Sequence, residues 1–194
     1  MKYGFVVPVY NHGSALESVV KNIEGYNFPI IVVDDGNDGK NKNAIAEVVK
    51  NHPLCVLVTR KKNGGKGKAL ADGVRKADEL GLTHVLQIDS DGQHDAARVG
   101  HFVEVSKKNP DAIICAYPEY DESAPKHRVN GRTIANAWIH TVTLSKQIKD
   151  GMIGFRIYPV APYVKLLNSH AIIDARMGYD IDILVRLFWK NVPV

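Results

Sequence analysis

The chain has 194 residues, 45% hydrophobic and 24% charged, with a formal net charge of +4. That length and composition suit one folded domain with one substantial core and exclude a disordered chain. The small positive excess suits an anionic small ligand or a membrane surface and is too weak to imply nucleic acid, so none is expected as a partner.

In chain order, "YGFVVPV" (3–9), "IIVVD" (30–34), "LCVLVT" (54–59), "HVLQID" (84–89) and "AIICA" (112–116) are short, β-branched and bounded by turn formers. This predicts strands, and their near-continuous hydrophobicity predicts burial on both faces. Between them, 14–23, 43–50, 68–80 and 97–108 repeat apolar residues every three or four positions, the pattern of amphipathic helices. Strand alternating with helix predicts an α/β fold with a mainly parallel central sheet flanked by helices, its first half Rossmann-like. After residue 116 the pattern breaks. "YPEYDESAPKHRVNGR" (117–132) is polar and proline-bearing, which predicts a long mobile loop or lid. A helix over about 129–144 follows, then strand-like "GFRIYPV" (154–160) and a last helix over 180–190. A single domain over 1–194 is expected, with a nucleotide-sized half (1–116) and an irregular half (117–194).

"MKYGFVVPVYN" meets Pro8 too early for the apolar core of a signal peptide, and no stretch approaches the roughly 18 apolar residues of a membrane span. A cytoplasmic protein is therefore expected, with peripheral attachment at the inner face of a membrane left open. Cys55 and Cys115 lie in apolar runs and are expected as core thiols rather than a disulfide.

In parallel sheets, ligands bind beyond the carboxyl ends of the strands. Here those ends supply Asn11 and His12, then Asp34 and Asp35, then the basic stretch 60–68, then Asp89 and Asp91, so acids and lysines converge on one edge. "VVDDGNDG" (32–39) reads either as an Asx-type turn or as a strand end accepting hydrogen bonds from a base and ribose. "RKKNGGKGKAL" (60–70) gathers cations around glycines that let backbone amides approach a phosphate, or is a solvated basic turn. It is neither a Walker A loop, since Ala69 follows Lys68, nor a dinucleotide fingerprint, since Leu70 replaces the third glycine. In "DSDGQHD" (89–95), Asp89 and Asp91 can offer oxygens to Mg²⁺ or Mn²⁺, which keep positions open for substrate phosphates. An EF-hand is excluded by His94 and Gly100 at its sixth and twelfth positions. His94 is either a donor to a neighbouring carboxylate or a helix cap, and Asp95 is a natural N-cap. Asp180 and Asp182 open the last helix, as ordinary dipole partners or with one of them a general base. Arg156 faces an anionic acceptor or diphosphate, or pairs with an acid at the core edge.

Taken in order, "VVPVYN", "VVDDGNDG", "NGGKGKAL", "QIDSDGQHD", "GFRIYP" and "GYDIDILVRLFWKNVPV" resemble the family 2 glycosyltransferases of GT-A fold, similar to bacterial dolichyl-phosphate mannosyltransferase-like enzymes. The resemblance spans most of the chain. It implies inverting, metal-assisted transfer of a sugar from a UDP- or GDP-sugar donor to a hydroxyl or a lipid-linked phosphate of the cell envelope. It also implies that Pro8, Tyr10, Asn11, Asp34 and Asp35 surround the nucleoside and that Gly65 and Lys66 adjoin the donor. Asp89 and Asp91 would form the Asp-x-Asp motif with the divalent metal, and Asp180 or Asp182 would stand in the place of the catalytic carboxylate. Residues 117–194 would then be the acceptor-side half. The pattern departs from the family in having Tyr179-Asp180 where Glu-Asp is usual, and a stop at "NVPV" reads as a truncated C-terminus. A homodimer stays open. Two other readings are a sugar-1-phosphate nucleotidyltransferase, whose glycine-rich signature would sit where "PVYNHG" stands, and a non-catalytic nucleotide-sugar-binding protein.

Overall fold

The computed structural model describes residues 1–92, 94–118, 126–169, 171–176 and 178–194, and of 126–130 the backbone alone. The central strand β1 (Tyr3–Val9) is buried at every position. It pairs in parallel with β2 (Ile30–Asp34) on one side and β4 (His84–Gln87) on the other, and β2 pairs in parallel with β3 (Cys55–Thr59). β6 (Arg156–Pro159) then lies antiparallel to both β4 and the two-residue β5 (Ile114–Cys115). The strand order is β3-β2-β1-β4-β6-β5. The second half of the chain thus sends a strand into the sheet of the first, and the two halves share one sheet.

Helices cover both faces, as the strands' two-sided hydrophobicity requires. Phe5, Val7, Val9, Ile30, Val32, Leu86 and Ile157 point to one side, where they meet Leu16, Val20 and Ile23 of α1 (Gly13–Ile23), Ile45 and Val48 of α2 (Gly39–Asn51), and Val99 and Val103 of α4 (Val99–Lys108). Val6, Ile31, Val33, Val85 and Tyr158 point to the other. There they meet α3 (Lys66–Glu79), α5 (Lys126–Thr143), α6 (Val160–Leu167) and α7 (Tyr179–Trp189). The close approach of α3 to the sheet needs Gly73, where an added Cβ would lie 2.4 Å from Val6 Cγ1.

Several expectations shift. The outer strands β3 and β5 are only half-buried, because an edge packs on fewer neighbours, and Cys55 and Cys115 are accordingly half-buried free thiols rather than core ones. β4 stops at Gln87, leaving Asp89 in the following loop. The loop or lid expected over 117–132 gives way to helix from Lys126, and its stretch 119–125 lies outside the described residues. Asp95 does cap a helical turn, but a 3-10 turn (Ala96–Arg98) that leads into α4. At the other end of the fold, Ile113 N donates to Pro193 O at 2.8 Å. No helix among the described residues is long and apolar enough to cross a membrane.

Candidate active site

Because β1, β2 and β4 run parallel, their carboxyl ends deliver 8–12, 34–39 and 88–92 to one edge of the sheet. A cleft of 540 Å³ opens there. Pro8, Tyr10, Asp35, Gly65, Lys66, Asp89, Asp91 and Asp180 all line it, joined by His12, Asn63, Met152 and Arg176.

At its centre lies one cation between two acids. Lys66 Nζ, in the first turn of α3, is 2.8 Å from Asp89 Oδ1, 3.0 Å from Asp89 Oδ2 and 2.9 Å from Asp180 Oδ2. Gln87 Nε2 donates to Asp180 Oδ1 at 2.7 Å. His94 Nε2 stands 3.3 Å from Asp89 Oδ2, which makes His94 a neighbour of that carboxylate rather than a helix cap. Burial alone would raise the Asp89 pKa, but the adjoining His94 imidazole and the Lys66 charge overcome it and hold the carboxyl down to about 2. Burial likewise disfavours the Lys66 ammonium, yet Asp89 and Asp180 together raise its pKa. Asp89 and Lys66 are therefore both ionised through the neutral range.

The glycine-rich stretch works differently from a phosphate cradle. Asp35, 2% exposed, takes the amides of Gly64 at 3.0 Å and Gly65 at 2.9 Å and the Asn63 side chain at 3.0 Å, and forms an ion pair with Arg60, whose Nε lies 2.8 Å away. The Gly67 amide goes to Ala175 O at 3.0 Å. The amides expected to meet a phosphate are thus spent on a carboxylate of the chain and on a carbonyl. Glycine is needed here for close approach: an added Cβ at Gly65 would lie 2.3 Å from Ala175 O, and one at Gly67 2.3 Å from Tyr179 Cδ2. This packing brings Ala175 and Tyr179, and with the latter Asp180, against the start of α3.

Four expected site residues lie off the cleft wall. Asp34, 2% exposed, spends Oδ1 on Asn37, from its amide at 2.8 Å and its side chain at 2.7 Å, as in the turn reading. Asn11, at φ 60°, gives its amide to Asn37 Oδ1 at 2.8 Å. Asp182 pairs with Arg186 Nε at 2.6 Å and accepts from Asp174 N at 2.8 Å, fastening the loop before α7. Arg156, 1% exposed, is buried beneath the site, where its Nη1 donates to Asp180 O and Tyr158 Oη. Gln87, Asn63, Met152 and Arg176 were not singled out from sequence. For Gln87 a signal existed, since a polar side chain inside a buried strand must find a partner.

The donor set also tests the expected metal. No group of three or more His, Cys, Asp or Glu among the described residues is placed to hold an ion alone. Asp89 and Asp91 provide two hard oxygen donors on an open cleft, the usual protein share for Mg²⁺ or Mn²⁺ when substrate phosphates complete the shell, so they fit the metal.

Comparison with known proteins gives the family and the fold. The profile of glycosyl transferase family 2 matches residues 5–169, and the chain belongs to that family, with a GT-A fold. It is 28% identical over 177 residues to a dolichyl-phosphate beta-glucosyltransferase of Trichomonas vaginalis, covering 79% of this chain and 50% of that one. It is 30% identical over 110 residues to a UDP-N-acetylglucosamine–dolichyl-phosphate N-acetylglucosaminyltransferase of Methanococcus voltae, covering 48% of this chain and 44% of the other. The chain spans about half the length of these relatives. Among solved structures, glucosyl-3-phosphoglycerate synthase of Mycobacterium tuberculosis, in complex with Mn²⁺, UDP-glucose and glycerol 3-phosphate, superposes with a TM-score of 0.71 at 17% identity, over 97% of this chain and 66% of that one. Asp180 and α7 lie beyond the family match.

Proposed function

We propose that this chain transfers a sugar, with inversion, from a UDP- or GDP-sugar to a lipid-phosphate or hydroxyl acceptor, assisted by Mg²⁺ or Mn²⁺. The observation that carries the reading is the meeting of Asp35, Asp89, Asp91 and Asp180 on one cleft. Asp89 and Asp91 hold the metal, which when bound neutralises charge on the leaving diphosphate. Pro8, Tyr10 and the surroundings of Asp35 take the nucleoside. Asp180, whose two oxygens are held by Gln87 and Lys66, faces the acceptor. It removes the proton of a hydroxyl acceptor, whereas a phosphate acceptor is already ionised and Asp180 then only orients it. In this division of labour residues 1–116 hold the donor and 117–194 serve the acceptor.

Attachment to the inner face of a membrane is part of the proposal. Ile134 and Trp138, one turn apart on α5, are 72% and 67% exposed, and Leu144 just after it is 93% exposed. Trp189 Nε1 reaches Val142 O at the end of the same helix, and exposed Lys146, Lys149 and Lys190 follow these residues in the chain. Aromatic and aliphatic side chains accompanied by lysines suit an anionic lipid surface.

The test is transfer from labelled UDP-glucose, UDP-N-acetylglucosamine and GDP-mannose, with Mn²⁺, to vesicles carrying polyprenyl phosphate or the free polyprenol. A glycosylated lipid, with turnover cut by about 10²-fold or more in Asp180→Asn and less than tenfold in Asp182→Asn, is expected. Full turnover in Asp180→Asn removes Asp180 from the mechanism. Exchange of pyrophosphate into a nucleoside triphosphate points to the nucleotidyltransferase, and donor binding without any product points to a binding protein.

A further inference from the structure

The contacts of Lys66 carry a consequence for the order in which the site loads, one that rests on the donor–metal reading above. Its ammonium covers both oxygens of Asp89, at 2.8 and 3.0 Å, and one of Asp180, at 2.9 Å. The other Asp180 oxygen belongs to Gln87 at 2.7 Å. A single side chain therefore occupies the carboxylate assigned to the metal and the carboxylate assigned to the acceptor. Its charge sits where a divalent cation would approach, and like charges sharing one carboxylate repel strongly at that range.

The surroundings fix the root of this side chain and leave its tip able to move. The start of α3 is fastened by the Gly65 amide on Asp35 and the Gly67 amide on Ala175 O. Beyond it runs a flexible four-carbon stem. On one side the tip rests against Gly154, where an added Cβ would lie 2.9 Å from Nζ. On the other it meets the cleft, of which Lys66 is a wall.

We propose that Lys66 is a masking counter-ion: in the donor-free protein it holds Asp89 and Asp180 closed, and the pyrophosphate of an arriving nucleotide draws it off, opening Asp89 to the metal and an oxygen of Asp180 to the acceptor. Metal and nucleotide then bind together, and each binds poorly alone. By linkage, whatever the nucleotide adds to metal affinity the metal adds to nucleotide affinity.

The experiment is Mn²⁺ titration of the protein without nucleotide, followed by the electron paramagnetic resonance of free Mn²⁺. It uses the wild type, Lys66→Met and Lys66→Gln, each checked for folding by circular dichroism. Both variants are expected to bind Mn²⁺ about tenfold tighter or more than the wild type. The gain is expected to vanish when Asp89→Asn is added, and UDP is expected to raise Mn²⁺ affinity less in the variants than in the wild type. Unchanged or weaker Mn²⁺ binding in both folded variants overturns the masking role, as does a gain that survives Asp89→Asn. A wild type whose Mn²⁺–UDP binding is indifferent to Asp91→Asn instead overturns the metal reading itself, so the two failures are separable.

Discussion

An added methyl at Gly154 would lie 2.8 Å from Gln87 Nε2 and 2.9 Å from Lys66 Nζ, both of them ends of side chains that can swing aside. At Gly36 the added Cβ would lie 2.3 Å from the Lys62 carbonyl carbon, which cannot, and φ is +74°. The two glycines should therefore fail in different ways. Gly154→Ala is expected to melt within a few degrees of the wild type while losing most turnover, because it displaces both donors to Asp180. Gly36→Ala is expected to cost about 2 kcal/mol of stability or more, from backbone collision and left-handed strain. A thermal melt set beside a transfer assay separates them, and a Gly154→Ala enzyme with full turnover would show that the Lys66–Gln87–Asp180 geometry is dispensable. At this scale the acids of the site were legible as a pattern, since Asp35, Asp89 and Asp91 all follow buried strands. Their partners were not. Nothing in "NGGKGK" says that its amides serve Asp35, because the hydrogen bond spans 29 residues for Gly64 and 30 for Gly65.

Between elements, His52 ties α2 to the start of the chain. It follows α2, is 7% exposed, and sets Nδ1 2.6 Å from Glu24 and Nε2 3.3 Å from Glu17, which also pairs with Lys21 at 2.9 Å. The Glu24 hydrogen bond, outweighing burial and joined by Glu17, raises the His52 pKa above its ordinary 6.5. A folded pKa above the unfolded one means stabilisation that is complete below the unfolded value and fades as pH rises through the folded value. The wild type should therefore lose melting temperature as pH rises above the ordinary histidine value, and His52→Gln should lack that component; parallel slopes in the two proteins would contradict the clasp. The elements themselves were largely readable. β-branched runs marked all the strands, and three-to-four periodicity marked the helices whose inner face is apolar. α6 was missed because it is short, follows β6 without a break and carries Pro162 in its first turn, where no amide bond is required. The first turn of α2 was missed because Gly39, Lys40 and Asn41 show no apolar face.

For the whole molecule, the decisive feature is β6. Its antiparallel entry between β4 and β5 sets Arg156 opposite Gln87, and Arg156 in turn reaches the Asp180 carbonyl. That pairing joins residues far apart in sequence, so no local pattern announces it; the parallel rim was foreseeable from strand–helix alternation, and the last helix was expected to bring in an acid, but nothing local said that Asp180 rather than Asp182 would reach the cleft. It also explains why Arg156, expected at the ligand, became a buried post beneath it. Sugar transfer at this site requires that the cleft take a nucleoside diphosphate and a metal as one unit. Isothermal titration of UDP and of GDP into the wild type and Asp91→Asn, each with and without Mn²⁺, measures this directly. The account predicts that one of the two nucleotides binds the wild type at least about tenfold more tightly with Mn²⁺, and that Asp91→Asn removes the gain while leaving the melting temperature unchanged. Binding that is absent for both nucleotides, or equal with and without the metal, would contradict it.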